Sequence, residues 1–348
     1  MNNKVKVGII GCGSIAKMRH VPEYLANPNS IIVGVFDSDP KRAKALAETS
    51  DSKVYGSIEE LLNDPEINAV SVCTSNDTHA DITIQALKKG KHVLCEKPMA
   101  TSLDDCLNMG NVSKQENKIL MVGHNQRFTP AHVKAKELLE SNVLGEVITF
   151  KTNFGHRGPE YWSMDKSVNT WFFDKNKASM GVSADLGIHK IDLIMWLLDD
   201  TIDILDAMCV TLDKRDSSGS LIQVDDNMIV LLKMNKGQIG TITTSWTYYG
   251  SEDNSTILYC TNGIMRLYDN LEFPVEIEFK NGESAFYKVG EMQTNEDEVQ
   301  ANSGVIDDFV EAIVNDKTPS VPYTDAIEAM KSIFACIESS NTGKRIQL

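Results

Sequence analysis

Two hydrophobic rhythms run along the chain. Through residue 124, short blocks of β-branched and other apolar residues alternate with longer segments of helical spacing. Val5–Ile10, Ile31–Phe36, Ala69–Cys73, His92–Cys95 and Ile119–Val122 read as strands. Arg19–Ala26, Pro40–Glu48, Thr78–Lys89 and Ser102–Lys118 read as helices; Pro40 suits a first turn and Gly90 closes the third of them. Strands alternating with helices predict an α/β domain whose parallel sheet is covered on both faces.

After Phe128 the rhythm changes. One more helix, Pro130–Glu140, is followed by a series of strands: Val147–Phe154, Ile204–Leu212, Met228–Met234, Gln238–Trp246, Thr256–Tyr268, Val275–Phe279 and Ala285–Val289. Asn235-Lys236-Gly237 and Lys280-Asn281-Gly282 read as hairpin turns. Helices are expected at Ala184–Leu198, Val305–Val314 and Thr324–Ser339. The predicted organisation is therefore two domains, 1–124 and 125–348, the second an α+β domain built on a large, mostly antiparallel open sheet. A length of 348 residues fits two domains, and no internal repeat or low-complexity linker separates them.

Composition narrows the classes of partner. Asp and Glu outnumber Lys and Arg 49 to 34, a formal net charge of −15. That balance argues against a nucleic-acid groove or an anionic membrane surface as the partner, while leaving room for a small anionic ligand held by backbone amides. No apolar run approaches the ~20 residues of a membrane span, and Met1–Val7 lacks the layout of a signal peptide. The seven cysteines are scattered without a C-x-x-C pair, so reduced thiols and a cytoplasmic location are expected, with no metal site.

The first chemical motif follows the first strand. Gly11-Cys12-Gly13-Ser14-Ile15-Ala16 fits G-x-G-x-x-G/A, in which the first glycine turns the chain and the second admits a pyrophosphate. Backbone N–H groups of Ser14 and Ile15, at the start of the helix that follows, face that anion. Asp37 lies 21 residues beyond Ala16, at the end of the second strand, where a carboxylate meets ribose hydroxyls and repels a 2′-phosphate. The cofactor expected is NAD rather than NADP. Asp37 could instead cap the helix at Pro40, and Arg42 could stack on adenine or accept a phosphate.

The stretch TSNDTHADITIQALKKGKHVLCEKPMA, Thr74–Ala100, resembles the signature of the Gfo/Idh/MocA family of sugar and cyclitol oxidoreductases. The turn Thr74-Ser75-Asn76, His79 and the strand end Glu96-Lys97-Pro98 carry the likeness, with Ser75 in place of the usual proline. It extends through Gly123–Phe128, through Gly181–Asp192, similar to the family's G-G-x-x-x-D-x-G-x-H-x-x-D block, and through Ser339–Arg345. Met180 stands where the family commonly has a glycine. The resemblance implies a Rossmann domain binding NAD(P), a substrate held between the nicotinamide and the second domain, and pairing of subunits through the open sheet as homodimers or homotetramers. It maps the catalytic lysine, aspartate and histidine onto Lys97, Asp185 and His189. It places Thr74, Asn76, His79, Glu96, Lys97 and Asn125 with the cofactor, beside Gly11, Gly13, Ser14, Ile15, Asp37 and Arg42.

The residue types suit that chemistry. At about 100° per residue, Asp185 and His189 fall about 40° apart on a helix, with Asp192 about 20° to the other side of Asp185. Removing a hydride from a carbinol requires a base for the hydroxyl proton, and imidazole has a reference pKa of ~6.5. A carboxylate one turn away orients the ring, and Lys97 at a parallel-strand end suits a developing oxyanion. A lone D-x-x-x-H is otherwise a helix-surface ion pair, and Lys97 a strand-end lysine. The loop His156–Asp174, with His156, Arg157, Trp162 and Trp171, offers aromatic faces and charges for a sugar ring. The expected function is an NAD-dependent dehydrogenase acting on a sugar, cyclitol or nucleotide sugar. The alternatives are an NAD-dependent glycoside hydrolase working by transient oxidation and a non-catalytic sugar sensor on the same fold.

Overall fold

The computed structural model describes residues 4–290 and 300–348. The chain divides into two compact units, Met1–Asn125 with Gln293–Ile327, and Gln126–Met292 with Glu328–Leu348.

The first unit runs β1 (Val5–Ile10), α1 (Val21–Ala26), β2 (Ser30–Phe36), α2 (Pro40–Ser50), β3 (Lys53–Val54), α3 (Ile58–Asn63), β4 (Ala69–Val72), α4 (His79–Lys88), β5 (His92–Cys95), α5 (Leu103–Glu116) and β6 (Leu120–Val122). All six strands are parallel, in the order β3-β2-β1-β4-β5-β6. This is the doubly wound order with a switch point between β1 and β4, the place where such sheets bind ligands beyond their C-terminal ends. Those ends are level. Ile10 lies beside Phe36 and Val72, Val72 beside Cys95, and Cys95 beside Val122. Near-continuous burial of β1, β4, β5 and β6 explains why they read as unbroken apolar blocks. Helix starts follow side-chain caps: Asp39 accepts from Lys41 N, Ser57 from Glu60 N and Ser102 from Asp105 N.

The second unit contains α6 (Pro130–Glu140), β7 (Val147–Gly155), α7 (Lys175–Ala178), α8 (Ile188–Leu198), β8 (Ile202–Val210), β9 (Asn227–Met234), β10 (Ile239–Ser245), β11 (Thr256–Cys260), β12 (Gly263–Leu267), β13 (Val275–Phe279) and β14 (Ser284–Tyr287). The chain ends in α9 (Val305–Val314), α10 (Tyr323–Thr342) and β15 (Ile346–Gln347). The nine-stranded sheet has the order β14-β13-β12-β11-β7-β10-β9-β8-β15, antiparallel except for the β7–β10 pair. On β9 the alternation is clean: Met228, Val230, Leu232 and Met234 are buried, while Ile229, Leu231 and Lys233 face outward.

Several expectations need correction. Thr256–Tyr268 is a hairpin of two strands turning at Thr261-Asn262, not one strand. β3, α3 and β15 are additional elements. α9 lies with the first unit, packed on α1 and β1, although it follows the strands of the second unit in the chain. Glu23 fixes it there: its carboxylate accepts from Ser303 N at 2.7 Å and Ile306 N at 3.4 Å, meeting the unpaired amides at the start of α9. Ala184–Leu198 is not α-helical throughout; Ser183–Gly187 forms a π-helical turn ahead of α8. Among the described residues no helix is long and apolar enough to cross a membrane, and no cluster of His, Cys, Asp or Glu is arranged to hold a metal.

Candidate functional site

The level strand ends of the first unit carry most of the sequence-derived cofactor residues. Gly11 follows β1 with φ +94°, and a Cβ there would stand 2.5 Å from the Cys73 carbonyl oxygen, so only glycine makes this turn. Gly13 has nothing within 4 Å of an added Cβ. The loop is thus closed against β4 beneath Gly11 and open above Gly13, where a pyrophosphate needs the backbone bare. Ser14 and Ile15 lead into a π-helical turn, Ala16–His20, before α1. Ala16 is fully buried, as the third position of the motif requires.

Asp37 does not cap α2; Asp39 does. Asp37 is instead set by the backbone, its Oδ2 accepting from Cys12 N at 2.7 Å and its Oδ1 from Asp39 N at 2.8 Å. Each oxygen keeps a lone pair for a ribose hydroxyl. Arg42 lies on the first turn of α2, with Nε 3.7 Å from Asp39 Oδ2. The residues present fit a dinucleotide: a bare glycine loop, a helix start and a preset carboxylate.

The Thr74-Ser75-Asn76 turn follows β4, with Asn76 buried. His79 is assigned by sequence to the cofactor, but the structure spends its ring on the protein. Buried at the start of α4, its Nδ1 lies 2.8 Å from the Pro98 carbonyl and its Nε2 3.2 Å from the Thr74 carbonyl. It braces the Thr74 turn against the Glu96-Lys97-Pro98 turn, and burial pushes its pKa down. Glu96 and Lys97 follow β5, and Asn125 follows β6. Burial alone would raise the Glu96 carboxyl, but a hydrogen bond from His20 and the charges of Arg19 and Lys97 hold it at about 2. Lys97 is half-buried at the sheet's ligand-binding edge.

In the second unit Asp185 lies in the π-helical turn and His189 in the first turn of α8, both buried. The wider π turn removes the regular angular spacing that placed Asp185, His189 and Asp192 on one stripe. Asp192 is committed elsewhere: both its oxygens accept from buried Arg127, Nε at 2.9 Å and Nη2 at 2.6 Å. Asp185 Oδ2 accepts from Trp246 Nε1 at 3.0 Å. Trp246 therefore orients the carboxylate, a role the sequence did not suggest. The His189 ring centroid lies 6.0 Å from that of Phe154.

Asp225 holds the start of this turn. Its carboxylate accepts from Gly181 N at 2.8 Å, from Ser183 N at 2.7 Å and from Ser183 Oγ at 3.0 Å, while its backbone carbonyl accepts from Val182 N. Burial pushes the Asp225 carboxyl up, against these donors. Met180 is buried and its φ is not positive.

The loop proposed for substrate is mostly an aromatic cluster. Trp171 stacks on Phe172 at 3.9 Å, and Trp162 meets Phe172 edge-on at 4.9 Å. His156 is buried edge-on to Phe154 and Trp162, its Nδ1 accepting from Gly158 N, so its ring packs rather than faces solvent. Exposed Arg157 lies over the Tyr161 ring, and Lys214 Nζ anchors the loop by donating to Arg157 O at 2.6 Å and Glu160 Oε1 at 2.5 Å.

Comparison with known proteins decides the family. Residues 5–124 match the oxidoreductase family with an NAD-binding Rossmann fold, and residues 132–266 match the GFO/IDH/MocA C-terminal domain. The chain belongs to the Gfo/Idh/MocA oxidoreductase family. A glucose-6-phosphate 3-dehydrogenase of Bacillus subtilis (strain 168) is 33% identical over 195 residues, 56% of this chain and 54% of that enzyme. A myo-inositol 2-dehydrogenase of Thermotoga maritima (strain ATCC 43589 / DSM 3109 / JCM 10099 / NBRC 100826 / MSB8) is 26% identical over 244 residues, 69% of this chain and 68% of that enzyme. A solved levoglucosan dehydrogenase, in complex with NADH, shares the fold with a TM-score of 0.86 at 22% identity, covering 99% of each chain. This Gfo/Idh/MocA member is thus an oxidoreductase whose first unit is an NAD-binding Rossmann fold.

Lys190, next to His189, gives a first expected result. It is fully buried, donates to Asn254 O at 3.0 Å, and burial lowers its pKa to about 7 despite Asp253 and Glu252 nearby. Between pH ~7 and ~10.4 the unfolded chain holds a proton that the folded chain lacks, so stability from this group rises with pH. The cost is fully present below pH ~7. Lys190→Met raises stability at pH 7 by roughly 1–4 kcal/mol, and the gain shrinks toward pH 10; thermal unfolding across that range measures it. A gain independent of pH would contradict this account.

Proposed function

We propose that the chain transfers a hydride between NAD and a hydroxyl-bearing carbon of a sugar, cyclitol or nucleotide sugar. The observation that carries this reading is the level rim of strand ends, with the bare glycine loop and Asp37 at β1 and β2 and Glu96-Lys97 at β5. Similar proteins named for glucose 6-phosphate, myo-inositol and levoglucosan support a polyhydroxylated substrate. NAD, when bound, supplies the hydride acceptor. The protein's share is proton handling and charge. His189 takes the hydroxyl proton, Asp185, held by Trp246, orients the imidazole and stabilises its cation, and Lys97 donates to the reacting oxygen. His156 contributes packing, while Arg157, Trp162 and Trp171 remain the loop residues assigned to the sugar. Retention of Lys97, Asp185 and His189 together favours turnover over sensing. Incubating the protein with NAD and a panel of polyols and sugars, and following NADH absorbance, tests the reading.

NAD is preferred over NADP because Asp37 opposes a 2′-phosphate. Like charges about 4 Å apart repel by ~1 kcal/mol in water and ~4 kcal/mol at intermediate dielectric, a preference of roughly five- to several-hundred-fold. Asp37→Ser narrows the gap chiefly by improving NADP(H); calorimetric titration of both cofactors checks it. Equal affinities in the wild type would mean that Arg42 outweighs Asp37.

The open sheet face is assigned to a second copy of the chain. Met208 lies opposite Ile229, with Val210, Leu231 and Ile239 exposed on the same face and Thr241 and Thr243 between them. Light scattering at micromolar concentration is expected to give a dimer or tetramer, and a monomer would remove this assignment alone. A cytoplasmic setting fits the reduced thiols.

A further inference from the structure

Behind the strand-end rim of the first unit lies a buried chain of polar side chains of which the proposed chemistry uses only Glu96. Tyr24 OH is 2.8 Å from Ser71 Oγ, Ser71 Oγ is 3.1 Å from His20 Nδ1, and His20 Nε2 is 2.8 Å from Glu96 Oε1. All four residues are nearly inaccessible. The chain runs from α1, through β4 and then the π-helical turn opened by the glycine loop, to the residue that follows β5. There the second Glu96 oxygen accepts from Lys97 N at 3.3 Å. Gly123 makes room for the carboxylate, since a Cβ at that position would stand 3.1 Å from each Glu96 oxygen.

Counting protons fixes the direction. If imidazole is neutral with hydrogen on Nε2, Tyr24 donates to Ser71, Ser71 donates to His20 Nδ1, and His20 donates to an ionised Glu96. Every buried donor is then satisfied. If His20 were an imidazolium, Nδ1–H would donate to Ser71, Ser71 would turn to Tyr24, and the Tyr24 hydroxyl proton would have no acceptor. The other neutral tautomer would set a bare Nε2 lone pair against the carboxylate. Either alternative carries the cost of a buried unmet group, ~1–3 kcal/mol.

We propose that Tyr24, Ser71 and His20 form a one-way hydrogen-bond relay that fixes Glu96 as an oriented carboxylate at the Lys97 strand end, making His20 a positioning residue for the reaction. The relay ties the helix that follows the cofactor loop to the turn carrying Lys97, so loop and lysine keep one register. This consequence for turnover rests on the function proposed above; the protonation pattern does not.

The test has two arms on the full-length chain. In protein labelled with ¹⁵N-histidine, with His20 assigned from the signals lost in His20→Gln, the relay requires one protonated and one bare ring nitrogen, the proton on Nε2. An imidazolium pattern or a proton on Nδ1 overturns it. In the second arm, His20→Ala lowers turnover roughly 10- to 100-fold. His20→Gln, whose amide still donates to Glu96, restores most of that loss. Tyr24→Phe, which leaves the Ser71-to-His20 and His20-to-Glu96 bonds intact, changes turnover less than His20→Ala. Full turnover in His20→Ala, or equal losses in His20→Ala and His20→Gln at matched melting temperatures, overturns the positioning role. Absence of wild-type turnover on every substrate would count against the proposed reaction, while the histidine spectrum would still decide the relay.

Discussion

Replacing His189 with alanine is expected to lower kcat by roughly 10²- to 10⁴-fold, the usual scale for a general base. The residue is buried at the first turn of α8, directly after the turn that carries Asp185. A substrate hydroxyl gives up its proton as the hydride leaves, and without the imidazole that proton passes only to water or hydroxide. Raising the pH therefore partly rescues His189→Ala. NAD affinity scarcely changes, because the glycine loop, Asp37 and the Thr74 turn belong to the other unit. Under the proposed mechanism Lys97→Ala is also expected to impair turnover and to weaken substrate binding, since its ammonium would contact both the reacting oxygen and the cofactor. An active wild type whose His189→Ala variant keeps full kcat would remove histidine from the mechanism and leave Asp185, or a water chain from Lys97, as the candidate base.

The second large effect lies one turn upstream. Gly181→Ala places a Cβ 1.9 Å from the Asp225 carbonyl oxygen, backbone against backbone, which no side-chain rotation relieves. That same carbonyl accepts from Val182 N, and the Asp225 carboxylate binds Gly181 N and Ser183 N. Moving the turn away breaks these bonds and leaves a buried carboxylate short of donors. A loss of about 3 kcal/mol or more is expected, lowering the melting temperature by roughly 6–12 °C. The surviving folded protein is also slow, because the displaced turn carries Asp185. A variant with unchanged melting temperature would show that the turn yields without cost.

The legible parts of this molecule were those written locally. β-branched blocks marked the parallel strands, whose burial on both faces leaves little polar interruption, and glycine spacing marked the phosphate loop. Element ends were less legible where a π-helical turn replaced the expected register, as at Ser183–Gly187, which undid the stripe arithmetic for Asp185. α3 carried a readable signal, Ser57 with Glu60 as a reciprocal cap: Glu60 N donates to Ser57 Oγ while Glu60 Oε2 accepts from Gly56 N. The partners of the site were not readable, because they are distant in sequence. Trp246 reaches Asp185 across 61 positions, Asp225 reaches Gly181 across 44, and His20 reaches Glu96 across 76. The placement of α9 against α1 and β1, with Glu23 meeting Ser303 N and Ile306 N, likewise joins residues some 280 positions apart, which no periodicity announces.

The proposed function is hydride transfer between a polyhydroxylated substrate and NAD, with Lys97, Asp185 and His189 handling the proton and the charge. Its most direct test is NADH formation by the purified wild type and by His189→Ala across cyclitols, aldoses and nucleotide sugars. The account predicts NADH formation by the wild type on at least one of these classes, with the rate on that substrate falling at least ~10²-fold in the variant. No NADH on any substrate from a wild type that binds NADH, or equal rates in wild type and variant, would contradict it.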